Sequence, residues 1–269
     1  MLSALREKAK DLQYVQDYKP ANENFKHVRV LLHGPVGAGK SSLINSVSNI
    51  LRGRMTISAP ANAITAGRSF TGSYETHEFW TGRGSSKTFF PLVFNDVMGL
   101  EDGTKEGVHA EDIKLAMQGH MREGHNFNPV TPLTETNPGY NLDPSPDDKV
   151  HVLVCVISAN IPEIKKSVLE KINEIREAAK NLGIPQMTLM THIDEACGEI
   201  NKDLKNVYRS KHLKKKMKDF STAVGIPMNC IFPVKNYSEE IDLNNDVDVL
   251  ILSALRKMVD FGDDFIEKK

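Results

Sequence analysis

Residues 28–47 read VRVLLHGPVGAGKSSLINSV and hold three consecutive signals. The first six residues form the apolar, β-branched run of a buried strand. The next eight, GPVGAGKS, match the pattern G-x-x-x-x-G-K-S/T in full. The remaining residues place apolar side chains at the three-and-four spacing of an amphipathic helix. A strand, a glycine-rich loop and a helix in this order predict a phosphate-binding loop.

The loop from Gly34 to Ser41 has the chemistry that a polyphosphate requires. Its glycines let successive backbone N–H groups face the phosphates, and the helix that follows adds its positive end. Lys40 is predicted to reach the β- and γ-phosphates, and the Ser41 hydroxyl to bind Mg²⁺. A chance match in a chain of this length has a probability of roughly 1%, given average glycine usage. The predicted nucleotide contacts here are Gly34, Val36, Gly37, Ala38, Gly39, Lys40, Ser41 and Ser42.

The choice of base depends on the segment Met190–Asp194, MTHID, at the end of a predicted strand. The Asp194 carboxylate can accept hydrogen bonds from guanine N1–H and the 2-amino group, and adenine lacks both donors. A buried Asp194 facing adenine would stay unpaired at a cost of about 1–3 kcal/mol. Histidine replaces the usual lysine at position 192, although an imidazole could lie against the base. Thr191, His192 and Asp194 are the predicted base contacts; the alternative is that Asp194 caps a helix beginning near Glu195.

A D-x-x-G element, Asp96 to Gly99, follows another predicted strand. Asp96 would hold Mg²⁺ through water, and the Gly99 N–H would meet the γ-phosphate. The four-residue pattern alone is more often an ordinary turn. Its position after a strand, between the loop and Asp194, favours the functional interpretation.

Two further segments complete the predicted site. Thr71 is preferred over Thr65 as the second magnesium-binding hydroxyl, and together with Lys40 it is the predicted catalytic group; either threonine could instead be a solvated loop residue. Lys235, Asn236 and Tyr237 follow the last predicted strand, where backbone amides would close over the guanine oxygen. An ordinary turn at the strand end explains that segment equally well.

Hydrolysis is predicted to be slow. Leu100 occupies the position where Ras-type enzymes carry the glutamine that orients water, and the loop contains no arginine. Water would be positioned by backbone, by a loop group such as His109, or by a partner. Two hypotheses therefore stay open: a slow GTPase in which segments 52–73 and 99–115 change order with the γ-phosphate, and a nucleotide-stabilised protein-binding scaffold with negligible turnover. An ATPase is disfavoured by Asp194.

Strand and helix patterns alternate along the chain. This predicts an α/β fold of the P-loop GTPase (Ras-like) class, with three layers and a mainly parallel sheet of about six strands between helices. Residues 1–24 are predicted as an N-terminal helix packing on a G domain of residues 25–269, which includes a long proline-rich loop, 126–148, and a closing helix, 247–265. Pro91 predicts an edge or a bulge in its strand. The predicted strands are His27–His33, Tyr74–Trp80, Lys87–Asn95, Val150–Ser158, Gln186–Met190 and Asn229–Val234, and the predicted helices are Leu2–Tyr18, Ser41–Leu51, Glu111–Met121, Pro162–Leu182, Ser210–Val224 and Val247–Phe265.

Composition restricts the partners. The net charge of −1 provides no general field for nucleic acid or anionic membranes. No apolar run reaches the roughly 20 residues of a spanning helix, and no lipidation motif is present, so we expect no membrane anchor and a cytoplasmic location. The basic run Lys211–Lys218 is interpreted as a solvated helix face, with a weak phosphoinositide or RNA contact as the alternative. Protein partners are expected, including a nucleotide-dependent homodimer.

Residues 28–47, together with Leu189–Asp194 (LMTHID) and Val249–Arg256 (VLILSALR), closely resemble the interferon-induced protein 44 and 44-like family. The resemblance covers most of the chain, from about Tyr18 to Phe265. The family itself carries histidine in the base motif. The resemblance implies a cytoplasmic, interferon-inducible GTP-binding protein linked to antiviral defence and innate immunity. Its matching nucleotide positions are Gly34, Gly39, Lys40, Ser41, Asp96, Gly99, Thr191 and Asp194.

Overall fold

The computed structural model describes residues 2–56, 72–103 and 106–269. The strands in these ranges are β1 (Val28–His33), β2 (Glu75–Thr81), β3 (Thr88–Asp96), β4 (Val152–Ser158), β5 (Gln186–Thr191) and β6 (Ile231–Pro233). The helices are α1 (Leu2–Asp17), α2 (Lys40–Arg52), α3 (Ala110–Met117), α4 (Lys166–Asn181), α5 (Ile193–Ala196), α6 (Gly198–Lys202), α7 (Lys211–Val224) and α8 (Asn245–Ile266).

The strands form one sheet in the order β2-β3-β1-β4-β5-β6. β2 runs antiparallel to β3 at one edge, and all other neighbours are parallel. This is the predicted mainly parallel α/β architecture. The carboxyl ends of parallel strands meet at one edge of a sheet, where ligands bind in open α/β folds. The loops after β1, β3, β5 and β6 therefore converge, and these loops carry the predicted site.

Helices cover both faces of the sheet over two separate apolar cores. In β1, Leu31 belongs to one core, which also contains side chains of α3, α4 and α7. Its neighbours Val30 and Leu32 belong to the other core, with side chains of α2 and α8. Successive strand residues point to opposite faces. A strand buried on both faces must be apolar throughout, as the VRVLLH run nearly is.

The bulge predicted from Pro91 is present. The register between β2 and β3 shifts between Glu78 and Trp80, opposite the part of β3 that contains Pro91. On the other side of β3, pairing with β1 begins only at Leu92. Because proline has no N–H to donate, it fits where the ladder is interrupted.

Several predicted boundaries are wrong by one to four residues, and three of them show the physical reasons. α4 begins at Lys166 rather than Pro162, because the residue before it, Lys165, has extended backbone with ψ 141°. α3 ends at Met117 instead of Met121, since Gly119 turns the chain with φ +84°. The strand predicted from Asn229 starts at Ile231 because the three residues before it form a 3-10 turn.

The proline-rich segment 126–148 packs on the body of the protein although it contains neither an α-helix nor a named strand. Phe127, Leu133 and Tyr140 are buried in the core on the α3 side. The Leu133 N–H donates to Asp112 Oδ1 of α3 at 2.7 Å. Its buried apolar side chains and this bond to a buried carboxylate tie the loop to α3.

Helix α1 packs against α8 through a buried charge. Asp248 in α8 is fully buried, and the Lys8 ammonium of α1 lies 2.7 Å from its Oδ2. The Tyr237 hydroxyl donates to Asp248 Oδ1 at 2.6 Å. An unpaired buried carboxylate would be costly, so Lys8 links α1 to the core. Nearby, the Tyr14 and Tyr18 hydroxyls donate to Asp260 and Asp263 of α8.

Helix α7 carries the basic run as a solvated face. Leu213 and Phe220 are buried, whereas Lys211, Lys214, Lys215 and Lys218 are exposed. Within the described ranges, every helix is too short or too polar to cross a lipid bilayer.

Two buried histidines predict loss of stability in mild acid. Burial, with Lys40 nearby, lowers the pKa of His33 to about 3, and burial lowers that of His151 to about 4. Both are neutral in the folded protein at pH 6.5, where the unfolded chain begins to bind protons. Stability is therefore complete above about pH 6.5 and falls as the pH decreases towards these values. We expect each histidine to cost about 1 kcal/mol per pH unit below 6.5.

Urea unfolding at pH 7.5, 6.5 and 5.5 measures this loss. His151 lies near His27, Arg29 and Asp147, and His33 lies near Lys40. Because the whole chain is unfolded, the measurement contains the effects of these neighbours as well. His212, exposed on α7, provides a matched control. Its replacement by glutamine should leave the pH dependence unchanged. A free energy of unfolding that stays constant from pH 7.5 to 5.5 contradicts the prediction.

Candidate functional site

The loop between β1 and α2 is shaped by three glycines with positive φ: Gly34 (+146°), Gly37 (+74°) and Gly39 (+88°). A Cβ on Gly34 would lie 2.0 Å from the Val156 carbonyl oxygen of β4, and one on Gly39 would lie 2.8 Å from Asn236 Nδ2. A Cβ on Gly37 would meet nothing within 4 Å. Packing therefore requires glycine at the two ends of the loop, and backbone conformation requires it at the open middle.

The Lys40 side chain curls over this loop. It is buried, and its Nζ donates to the carbonyl oxygens of Gly34 (3.2 Å) and Pro35 (3.4 Å). Burial lowers the pKa of Lys40, while the charge of Asp96 acts in the opposite direction. The first-turn N–H groups of α2 have no carbonyl partner within the helix. A buried ammonium beside a helix N-terminus is an arrangement that binds polyphosphate.

Two oxygen ligands suited to magnesium meet at the start of α2. The Ser41 hydroxyl lies 2.7 Å from Asp96 Oδ2, at the end of β3. Mg²⁺ prefers hard oxygen ligands and usually keeps phosphate and water oxygens in its shell, so this pair fits it. No group of three or more His, Cys, Asp or Glu in the described residues could hold a metal. Thr71 and Thr65 lie outside the described residues.

The predicted base motif packs directly on the phosphate loop. Thr191 Oγ1, at the end of β5, donates to the Ala38 carbonyl at 2.7 Å. His192 follows with φ +53°, the only non-glycine residue with positive φ in the described ranges. Its Nδ1 lies 2.9 Å from Thr191 Oγ1, and its ring borders Gly39. Such a backbone conformation costs about 1–2 kcal/mol and is typical of functional sites.

The capping alternative for Asp194 is wrong. Helix α5 begins at Ile193, its N-cap residue is His192, and no side chain caps it. Asp194 Oδ2 instead lies 3.2 Å from the Lys235 ammonium. The carboxylate is mostly shielded, with 16% of the side chain exposed, and it is paired across the sheet edge.

The segment after β6 is tied to the loop by side chains. Asn236 Nδ2 donates to the Gly39 carbonyl at 3.0 Å. The Tyr237 backbone N–H donates to Ser46 Oγ of α2 at 2.9 Å. The idea that backbone amides from residues 235–237 close over a base therefore fails for Tyr237, whose amide is already engaged. Asn236 Oδ1 is buried and has no hydrogen-bond partner in the described ranges.

Lys235 also reaches a residue that the sequence did not indicate. Its Nζ lies 3.0 Å from Glu240 Oε1. Burial alone would lower the pKa of Lys235, but its bonds to Glu240 and Asp194 raise it overall. Burial would likewise raise the pKa of Glu240, but the Ser238 N–H and Lys235 lower it overall. No motif spacing connects position 240 to position 194, so only the fold could identify Glu240.

The D-x-x-G element lies against the phosphate loop. The Leu100 N–H donates to the Gly34 carbonyl at 3.0 Å, and the Val36 N–H donates to the Leu100 carbonyl at 3.2 Å. A Cβ on Gly99 would lie 2.5 Å from Val36 Cγ2. The Leu100 side chain is buried, so it contributes packing. His109 precedes α3 as its N-cap residue, close enough to Asp112 to affect that carboxyl group.

The fold brings most of the predicted residues together around the loop. Direct contacts to the loop or α2 come from Asp96, Gly99, Thr191, His192 and Asn236, while Asp194 and Lys235 pair with each other. Val36, Gly37, Ala38 and Ser42 lie within the loop and the first turn of α2, as expected. Sequence reasoning missed Ser46 and Glu240.

Curated relatives match almost the entire chain. Interferon-induced protein 44 of Mus musculus is 33% identical over 95% of this chain and 60% of the relative. The human interferon-induced protein 44-like is 32% identical over 94% of this chain and 55% of its own length, and human interferon-induced protein 44 is 32% identical over 95% and 57%. This chain thus spans little more than half the length of these relatives. No family model matches it.

Among solved structures, a dimerisation-deficient mutant of Toc33 from Arabidopsis thaliana has a similar fold. The TM-score is 0.52, with 97% of this chain and 92% of that chain covered. Sequence identity is 14%, so the likeness concerns the fold alone. It supports the mainly parallel α/β fold that the alternation of strands and helices predicted.

Proposed function

We propose that this chain, which is 32–33% identical to interferon-induced protein 44 and 44-like proteins along 94–95% of its length, binds guanine nucleotide with Mg²⁺ at its glycine-rich loop and hydrolyses GTP slowly. The phosphates would lie on the loop from Gly34 to Ser41. The base would lie between the segments that follow β5 and β6. Asp194 would read the guanine edge.

One observation carries this proposal: the base motif and the phosphate loop are held together by direct hydrogen bonds. Thr191 Oγ1 donates to the Ala38 carbonyl, and Asn236 Nδ2 donates to the Gly39 carbonyl. These bonds join residues 153 and 197 positions apart in the chain. The candidate phosphate site and the candidate base site would therefore share one edge of the sheet, as a nucleotide site requires.

Each group has a separate task in this mechanism. Lys40 neutralises phosphate charge from a buried position, and the N–H groups at the start of α2 donate to phosphate oxygens. Ser41 and Asp96 would hold Mg²⁺, which neutralises charge that develops on the phosphates during transfer. Thr71 is proposed as the further hydroxyl ligand and, with Lys40, as part of the catalytic machinery. His192 would lie against the base, and the Gly99 N–H would contact the γ-phosphate.

Slow hydrolysis is supported by Leu100. Its side chain is buried, and its backbone is bonded to Gly34 and Val36. An apolar side chain cannot orient an attacking water, so the rate would depend on backbone, His109 or a partner. The same feature keeps the second candidate function open: a protein that binds GDP or GTP and acts by protein contact without turnover.

The names of the relatives support interferon-induced expression. The family resemblance of the sequence supports an antiviral role in innate immunity and a cytoplasmic location, and we propose all three. We also propose protein partners, a nucleotide-dependent homodimer, and a division into an N-terminal helix, 1–24, and a G domain, 25–269. Because the relatives are longer, these roles concern whole proteins of which this chain matches a part.

Calorimetric titration with GDP, GTP and ATP in the presence of Mg²⁺ tests the proposal. We expect binding of GDP and GTP and at least about tenfold weaker binding of ATP, since adenine offers no donor to Asp194. Lys40→Ala should weaken GDP and GTP binding by about 100-fold, because it removes a buried charge partner of the phosphates. Lys218→Ala, at an exposed lysine of α7, is the matched control and should leave affinity unchanged. Equal binding of ATP and GTP would refute the base assignment.

Phosphate release measured under multiple turnover, with and without candidate partners, separates the two functions. A slow GTPase should release phosphate, and Lys40→Ala should abolish the release. A scaffold should bind nucleotide and release none in either form. A single-turnover rate as fast as that of Ras with its activator would contradict the expectation drawn from Leu100.

A further inference from the structure

The base-reading carboxylate has a cationic partner that comes from a distant part of the chain. Lys235, directly after β6, places its Nζ 3.2 Å from Asp194 Oδ2 and 3.0 Å from Glu240 Oε1. The exposed fractions of these side chains are 23% for Lys235, 16% for Asp194 and 28% for Glu240. Ion pairs shielded to this extent are stronger than pairs in open solvent.

We propose that Lys235 is a positioning residue for base recognition, turning the Asp194 carboxylate so that it accepts from both guanine N1–H and the 2-amino group. This inference rests on the proposed function. It identifies a residue that helps the same site to select guanine. The usual base motif carries a lysine two residues before its aspartate, and here His192 occupies that position. The His192 ring is directed to Thr191 and Gly39. Lys235 provides an ammonium to Asp194 from the segment after β6.

The arrangement leaves Asp194 able to bind the base. A carboxylate has about four lone-pair sites, so one contact on Oδ2 leaves enough for two further donors. Asp194 belongs to a four-residue helix, α5, which does little to restrict its side chain. Its orientation therefore depends on a partner. Lys235 supplies that partner.

Glu240 fixes the lysine from the other side. The Ser238 N–H donates to Glu240 Oε2 at 2.9 Å, so this carboxylate is itself anchored. Lys235 is thus held between two carboxylates and stays at the site edge. Removing the ammonium would leave Asp194 and Glu240 as like charges on either side of its former position, which would turn Asp194 away from the base.

A comparison of GDP with IDP distinguishes a change in the orientation of Asp194 from a general loss of nucleotide affinity. GDP and IDP differ only in the 2-amino group, which donates to Asp194 in the proposed pose. Their affinity ratio therefore reports the orientation of that carboxylate, and damage to the fold or to the phosphate loop would weaken both ligands equally. We expect the wild-type chain to prefer GDP by about tenfold, the value of one hydrogen bond to a charged acceptor.

The test is calorimetry of GDP and IDP with the full chain, together with thermal unfolding of each variant. Lys235→Met should weaken GDP binding by about tenfold and reduce the GDP-to-IDP ratio to about twofold or less. Lys235→Arg, which keeps the charge, should restore most of the ratio. Lys205→Met is the matched control, because Lys205 pairs with Asp246 at 3.9 Å on the surface; it should leave both affinities unchanged.

The possible results distinguish a failure of this inference from a failure of the proposed function. If the wild-type chain binds neither GDP nor IDP, the proposed function and the inference both fail. If it prefers GDP and Lys235→Met keeps that preference, the inference alone is overturned. An equal loss for both ligands would show a merely structural lysine, and tighter GDP binding would show a lysine that competes with the base; either result also overturns it.

Discussion

Replacing Gly34 with alanine is expected to destabilise the fold and remove nucleotide binding. A Cβ at this position would lie 2.0 Å from the Val156 carbonyl oxygen, and the backbone has φ +146°. The obstacle is the backbone of a central strand, β4, which cannot move aside as a flexible side chain could. Overpacking and backbone strain each cost about 1–3 kcal/mol, so we expect a loss of about 2–6 kcal/mol in the free energy of unfolding.

The effect should be larger than that of the same substitution at the open middle of the loop. Gly37→Ala is the matched control, because its Cβ would meet nothing within 4 Å and only its φ of +74° is unfavourable. That variant should lose about 1 kcal/mol. Urea unfolding without nucleotide measures both changes, and calorimetry with GDP should show at least about a 100-fold loss for Gly34→Ala. Equal stability of the two variants would mean that β4 does not confine the loop as described.

The second large effect is a change of base preference in Asp194→Asn. The carboxylate accepts two hydrogen bonds from guanine in the proposed pose, and a charged hydrogen bond is worth about 1.5–3 kcal/mol. Asparagine can keep only one such acceptor and offers an N–H₂ donor in its place. We expect GDP affinity to fall by about 100-fold or more and affinity for xanthosine diphosphate to rise, because xanthine carries an oxygen at position 2.

Competition between GDP and xanthosine diphosphate on one protein sample measures the reversal directly. Glu195→Gln is the control at the adjacent residue, where the exposed carboxylate accepts from Asn160 at 2.8 Å. It should preserve the preference for GDP. Unchanged GDP affinity in Asp194→Asn would remove Asp194 from the base site while leaving the phosphate loop intact.

The residues behind these two predictions, Gly34 and Asp194, were found from different kinds of sequence pattern. Gly34, Lys40 and Ser41 were predicted from a contiguous motif, because a strand, a tight turn and a helix start are decided by neighbouring residues. Asp96 and Asp194 were predicted from their positions after apolar strands. The carboxyl ends of parallel strands lie at one edge of the sheet. Residues that follow such strands are therefore expected to lie close together.

Element boundaries were less predictable. Helix α4 begins at Lys166, although Pro162 suggested an earlier start. The chain before it is held elsewhere: the Lys216 ammonium donates to the Ile161 carbonyl at 2.8 Å. This contact with α7, which is distant in sequence, outweighs the local preference for a helix start at Pro162. Helix propensity depends on the residue itself and does not predict such a contact.

Local sequence patterns were enough to predict the glycine-rich loop, the alternation of strands and helices, and the carboxylates at the strand ends. These follow from local sterics and from the burial of apolar faces, which neighbouring residues encode. Three contacts became visible only in the folded protein: Asn236 donates to the Gly39 carbonyl, the Tyr237 amide donates to Ser46, and Lys235 pairs with both Asp194 and Glu240. These contacts join residues up to 197 positions apart in the chain, and no periodicity or spacing specifies such pairs before the strands bring them together.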